Sequence, residues 1–287
     1  MITIIFAAAA AIGWGAADFV GGDASRHKTS VFMVVAMVQL LGLLALVPVL
    51  LTRGVPLPDN PRMLLALLSG LAVTCELGLI YRAISRGDAF ITAPVAALGA
   101  GIAVIVGLIS GEPLTIVISI GLALALLGGG VSAWTSPTTR RLGGSPWRTA
   151  AMCAAAAAAV GTMLICLHAA GRLDPYWATA IEHASCAVSA GIAALVGSRR
   201  SLRHCLPKRP EMPKLGLIAI IGTGGDLAFT ISSRGGALSI VSAIASLYPV
   251  VTIALGALLL GQRARRFQLG GILLAITGAI LLGSVTR

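Results

Sequence analysis

The stretch from Ser242 to Gly283 reads SAIASLYPVVTIALGALLLGQRARRFQLGGILLAITGAILLG. Two apolar runs flank a short polar hinge, Gln262 to Gln268. Each run is about long enough to cross a bilayer core as a helix, which takes about 20 residues. The hinge holds no more than a tight turn, so the stretch predicts a transmembrane helical hairpin. An earlier stretch, Ala96 to Val131, reads AALGAGIAVIVGLISGEPLTIVISIGLALALLGGGV. Laid over the first, it places Gly111 and Glu112 on Gly261 and Gln262, Gly121 on Gly271 and Gly128 on Gly278. Upstream, YRAISRGDA from Tyr81 echoes FTISSRGGA from Phe229 at nearly the same offset. The chain is built as two related halves.

Bulk composition sets the class. The chain is 57% hydrophobic and 11% charged, with mean hydropathy +0.96. Soluble domains carry about 25% charged residues, so this is an integral membrane protein. Its 287 residues suit ten spans with short connections. Long apolar runs choose helices over a barrel, whose strands would alternate every second residue. The expected spans are 2–20, 30–51, 62–82, 88–110, 113–134, 148–169, 174–197, 214–233, 236–260 and 266–285. The first has no positive flank before it and reads as a retained helix rather than a leader. The fold class is therefore an all-α membrane protein: residues 1–134 form one five-helix repeat, 135–147 a linker and 148–287 the second repeat. An odd number of spans per half inverts the second half. Inverted repeats frame many secondary transporters, with the substrate site between them near the midplane.

The net charge of +11 does not point to nucleic acid. Sixteen of the 21 Lys and Arg residues follow odd-numbered spans. By the positive-inside rule those connections are cytoplasmic and both termini lie outside. The five cysteines form no CxxC pair, and four sit inside apolar runs. They read as small core residues, and neither a metal site nor a cofactor is expected.

Charges inside spans are costly and mark function by default. Four carboxylates qualify: Asp18, Glu76, Glu182 and Asp226. Asp18 lies eight residues before Arg26, about 12 Å into the membrane at 1.5 Å per residue. Low dielectric disfavours an ionised carboxylate, so such a group can hold a proton or a cationic substrate in turn, which suffices for antiport. Trp14 is four residues from Asp18 and shares its helix face. A ring beside a carboxylate seats an organic cation. Structural pairing of these carboxylates is the alternative. Span seven carries a polar stripe of Thr179, Glu182, Cys186 and Ser189, and span nine one of Ser239, Ser242 and Ser246 followed by Tyr248 and Pro249. Thr179, Ser189, Ser242, Ser246 and Tyr248 are candidates to line a cavity; helix contact is the plainer role for small residues. Pro94 and Pro249 are candidate kinks in spans four and nine. Glu182 and His183 are adjacent and expected to point apart, so no metal site is read there. Glu112 is expected to cap span five, with Pro113 in its first turn. No GxSxG or other nucleophile turn is present, which argues against an intramembrane enzyme.

Three features together resemble the EamA-type transporters of the drug/metabolite transporter superfamily. They are Trp14-Gly15 in the first span, Tyr81-Arg82-Ala83-Ile84 before span four, and the repeated turn after Gly111 and Gly261 followed by spaced glycines. The resemblance covers nearly the whole chain. It departs at Gln262, where the family usually has Glu, and at Gly99, where Pro249 would predict a proline. It implies a multi-pass protein of the inner or plasma membrane that exports or exchanges a small polar or cationic metabolite or drug, often with protons. It also implies both termini in the cytoplasm, opposite to the charge count. The expected partners are a small-molecule substrate, membrane lipid and protons, in a monomer or homodimer. An uncoupled facilitator is the alternative within transport.

Overall fold

The computed structural model describes residues 2–24, 30–84, 92–132, 146–197, 211–260 and 265–285. Among them every element is helical. In chain order these are α1 (Ile2–Ala24), α2 (Val31–Arg53), a 3-10 turn (Pro61–Leu64) running into α3 (Leu65–Ile84), α4 (Thr92–Ile109), α5 (Ile116–Ser132), α6 (Pro146–Gly171), α7 (Pro175–Gly197), α8 (Met212–Ser233), α9 (Leu238–Ala245), α10 (Tyr248–Leu260) and α11 (Arg266–Val285). Among the described residues eight stretches are long and apolar enough to cross a membrane; Leu98–Ile109 and Ile116–Ser132 are shorter apolar helices. The expected ninth span, 236–260, is one apolar stretch divided into α9 and α10. The break falls at Ser246 and Leu247, just before Pro249, which has no N–H to continue the ladder.

Local chemistry sets the ends. Gly54 closes α2 in the left-handed region at φ 59°, where a residue without Cβ is at ease. Asn60 Oδ1 accepts from the Arg62 N–H at 2.9 Å and starts the 3-10 turn. Asp174 Oδ1 accepts from the N–H groups of Tyr176 and Trp177 at 3.0 and 2.9 Å, capping α7 as an Asp N-cap should.

The packing obeys a two-fold relation. If α1 to α5 correspond to α6, α7, α8, α9 with α10, and α11, then the most extensive contacts between halves have mates. The pair α1·α8 mirrors α6·α3, α3·α7 mirrors α8·α2, and α4·α6 mirrors the packing of α9 and α10 on α1. The pairs α2·α7 and α5·α11 map onto themselves. Apolar side chains face lipid all round, for example Ile105, Ile116, Leu258 and Ile280, so burial of apolar area does not separate core from surface here. Close approach does so instead, as expected for helices that have no hydrophobic drive to associate inside lipid.

The α5·α11 seam is the clearest case. A Cβ added at Gly128 would lie 2.7 Å from the Gly271 carbonyl oxygen, and one added at Gly278 would lie 2.7 Å from that of Gly121. The sequence repeat aligns Gly121 with Gly271 and Gly128 with Gly278, whereas across the seam Gly128 meets Gly271 and Gly121 meets Gly278. That exchange follows from inversion, because related helices then run antiparallel.

The expected cap of α5 by Glu112 is not what forms. Thr115 Oγ1 accepts from the Ile118 N–H at 3.2 Å and caps α5. Glu112 reaches into the other half: its Oε1 accepts from the Leu238 N–H and its Oε2 from the Ser239 N–H at 2.9 Å. The cause is at α9, whose N-cap residue is Ala237. Ala237 has no side-chain acceptor, so the orphan N–H groups of the first turn must find one elsewhere, and an anion suits the positive end of a helix.

Candidate functional site

The four in-span carboxylates fall into two sets. Glu182 on α7 and Asp226 on α8 flank His183. The imidazole Nδ1 lies 2.6 Å from Glu182 Oε2. Its Nε2 lies 2.9 Å from Thr223 Oγ1 and 3.8 Å from Asp226 Oδ2. Adjacent helix residues were expected to point apart; here the Glu182 carboxylate folds back onto the ring of its own neighbour. Glu182 and His183 are buried, at 1% and 0% exposed, and the Asp226 side chain is 17% exposed. Asp226 Oδ1 accepts from Trp14 Nε1 at 2.7 Å. Trp14 comes from α1, so one bond joins the two repeats at the carboxylate.

The second set is Asp18 on α1 and Glu76 on α3. They lie within electrostatic reach of each other and of Tyr248 at the start of α10. Asp18 is exposed and Glu76 half-buried. Among the described residues neither makes a hydrogen bond or an ion pair. Trp14 stands between the two sets. Its ring meets Tyr248 edge-on at 6.2 Å and Phe229 at 5.4 Å between centroids. Thr252 Oγ1 on α10 donates to the Gly15 carbonyl at 3.0 Å, fixing α10 beside the Trp14 turn. The ring therefore bonds one carboxylate set and, one turn along α1, neighbours the other.

The remaining candidates lie at helix contacts. Thr179 is fully buried, 3.1 Å from Thr230 of α8. Ser189 Oγ lies 2.7 Å from Thr74 Oγ1 of α3. Ser242 is buried with its hydroxyl unpartnered, and Ser246 bonds the Ala243 carbonyl within its own turn. Pro249 is the second residue of α10, and Pro94 is the third described residue of α4.

Sequence reasoning missed Thr223 and Gly42. A Cβ at Gly42 of α2 would meet Thr223 Oγ1 and lie 2.8 and 2.9 Å from His183 Cδ2 and Nε2. The glycine lets α2 press on the imidazole, and only the tertiary pairing of α2 with α7 and α8 reveals it. The ligand atoms of Glu182, His183 and Asp226 lie within 4.8 Å of one another. Nε2 also has Thr223 Oγ1 at 2.9 Å, and Nδ1 has Glu182 Oε2 at 2.6 Å.

At the face where α2 ends and α7 begins, Arg53 makes a two-point contact with Asp174, Nη1 to Oδ1 at 3.1 Å and Nη2 to Oδ2 at 2.8 Å. Its guanidinium stacks over Tyr176 at 3.9 Å, and Trp177 Nε1 donates to the Val55 carbonyl at 3.0 Å. Burial pushes the Asp174 carboxyl up, but the Arg53 guanidinium and the Trp177 and Tyr176 N–H groups together hold it below the usual carboxylate range. Span alternation puts this contact and the Glu112–α9 contact on the same face.

A solved structure described only as the crystal structure of a protein superposes on this chain with a TM-score of 0.79 at 16% identity, covering 99% of this chain and 98% of its own. That likeness carries the fold. No curated protein matches the chain. The EamA-like transporter family matches residues 1–133 and again 146–284, one match per half of the inverted repeat. The chain is a multi-pass membrane protein of the EamA-like transporter family, within the drug/metabolite transporter superfamily.

Proposed function

We propose that the protein is a secondary transporter of the plasma membrane that exports a small cationic or polar metabolite by alternating access, in exchange for protons. The observation that supports it is the charge of the interior. Four in-span carboxylates come from both repeats, Trp14 bonds one of them, and His183 is the one basic side chain bonded to any of them among the described residues. Uncompensated carboxylates within membrane spans are costly, so the ligand that completes the site is a cation or a proton. The aromatic rings of Trp14 and Tyr248 beside Asp18 and Glu76 favour an organic cation. Alternating access is supported by the two polar contacts between repeats on one face, Arg53 with Asp174 and Glu112 with α9. They close that side, while Asp18 stays exposed. By the Lys/Arg bias the closed face is external.

The test is current from purified protein in liposomes on a solid-supported membrane. The panel holds amino acids, polyamines, sugars and quaternary cations, each with and without a pH gradient. The expected result is a compound-specific current that needs the gradient and is lost in Asp18→Asn and Glu76→Gln. Flux that ignores the gradient and survives both substitutions would replace exchange with facilitated diffusion.

A further inference from the structure

We infer that the two carboxylate sets divide the work: the Glu182–His183–Asp226 cluster is the proton site, and Asp18 with Glu76 holds the cargo. This rests on the exchange reading above and names which groups carry which ligand.

Space supports it first. His183 is 0% exposed, Gly42 presses on its ring from α2, and a single added Cβ there would already be too close to the imidazole and to Thr223. The imidazole is thus closed to solvent and packed tightly from α2. Asp18 and Glu76 are more open and lack bonding partners among the described residues, which leaves them free for a larger cation.

Bonding supports it second. Glu182 Oε2 lies 2.6 Å from Nδ1, and an ionised carboxylate there can only accept, which puts a proton on Nδ1. Nε2 faces the Thr223 hydroxyl at 2.9 Å. A hydroxyl can donate to a neutral imidazole or accept from an imidazolium. Nε2 can therefore gain or lose a proton without leaving a buried group unsatisfied, and Thr223 rotates to suit. The second carboxylate, Asp226 at 3.8 Å, compensates the charge when the proton arrives. Asp226 is also the most exposed member, at 17%, so it is the door through which the proton passes.

The surroundings add little competing charge. From α2 Gly42 and, further along, Gln39 face this region, and the one charged side chain of α2, Arg53, is held by Asp174. From α7 itself Cys186 lies one turn away; from α1 the neighbour is the uncharged Trp14. Glu76 of α3 interacts with Asp18 instead, and His168 of α6 feels Arg172 and Glu112 near the other end. Trp14 is the coupling element. Its indole N–H holds Asp226 and its α1 neighbour one turn on is Asp18, so a cation seated on the ring is felt at the proton site.

The experiment needs no substrate. A pH jump applied to liposomes on a solid-supported membrane moves a proton from bulk water into a buried site and displaces charge. Wild type is expected to give a transient displacement. His183→Gln and Asp226→Asn, each checked for a monodisperse profile in detergent, should reduce it to the level of protein-free liposomes. Should His183→Gln fail to fold, Asp226→Asn decides. A displacement that persists in a folded variant, or that is absent in wild type, overturns the assignment. Silence across the cargo panel with an intact, His183-dependent displacement would instead fault the choice of substrates and leave the proton site standing.

Discussion

Replacing Gly128 with alanine tests whether close helix approach holds the two halves together. The new Cβ would lie 2.7 Å from the Gly271 carbonyl oxygen and 2.8 Å from Ala275 Cα, where ordinary contacts to carbon lie at about 3.5–4.0 Å. The helices α5 and α11 must therefore part by about 1 Å at that level, a shift typical of overpacking, which costs about 1–3 kcal/mol. Alanine returns about 1 kcal/mol of helix propensity, leaving a net loss of up to about 2 kcal/mol, and the 2.7 Å approach to backbone rather than to a flexible side chain places it toward the upper end. At roughly 2–4 °C per kcal/mol for chains of this order of size, the melting temperature in detergent should fall by several degrees. The internal control is Gly270→Ala, next to the seam, where an added Cβ meets nothing within 4 Å; it should hold or raise the melting temperature through propensity alone. Gly271→Ala should match Gly128→Ala, because its Cβ would lie 2.9 Å from the Gly128 carbonyl oxygen. The double variant should lose less than the sum, since the seam parts once for both. Fluorescence-monitored melting of the purified variants reads all four. Equal melting of wild type and Gly128→Ala, alongside an unchanged Gly270→Ala, would refute the reasoning.

Asp174→Asn should lower stability by about 1–2 kcal/mol at neutral pH, because it breaks a partly exposed two-point pair while sparing the helix cap. Since the Asp174 carboxyl sits below its ordinary range when folded, its contribution is present above about pH 4, the unfolded value, and is lost as pH falls through the folded one; melting curves of wild type and variant should converge only in acid. Glu112→Gln keeps one acceptor for two N–H donors and should cost about 1 kcal/mol. It should also speed labelling of Ser239→Cys by a water-soluble thiol reagent, and unchanged labelling would remove Glu112 as a tie between the repeats.

The sequence by itself determined the class, the duplication and the inversion. Apolar runs of about 20 residues leave helices as the solution in lipid, and an odd count per repeat forces the second half over. It also picked out the four carboxylates and Trp14, because a charge in a span is conspicuous by its cost. Pro249 and the small residues around it marked the place where α9 gives way to α10, but not that the helix breaks there instead of bending. Glu112 was legible as a structural residue, yet its partner was not: the N–H groups it satisfies belong to Leu238 and Ser239, more than a hundred residues away. The pairing of His183 with both Glu182 and Asp226 was likewise hidden. Spacing along one helix says which residues share a face, but Asp226, Thr223 and Gly42 reach the imidazole from two other helices. Periodicity reports a helix face, whereas a site between repeats is made by the docking of faces. That docking is set here by glycine-scale clearances and a few polar bonds, which only the tertiary structure decides.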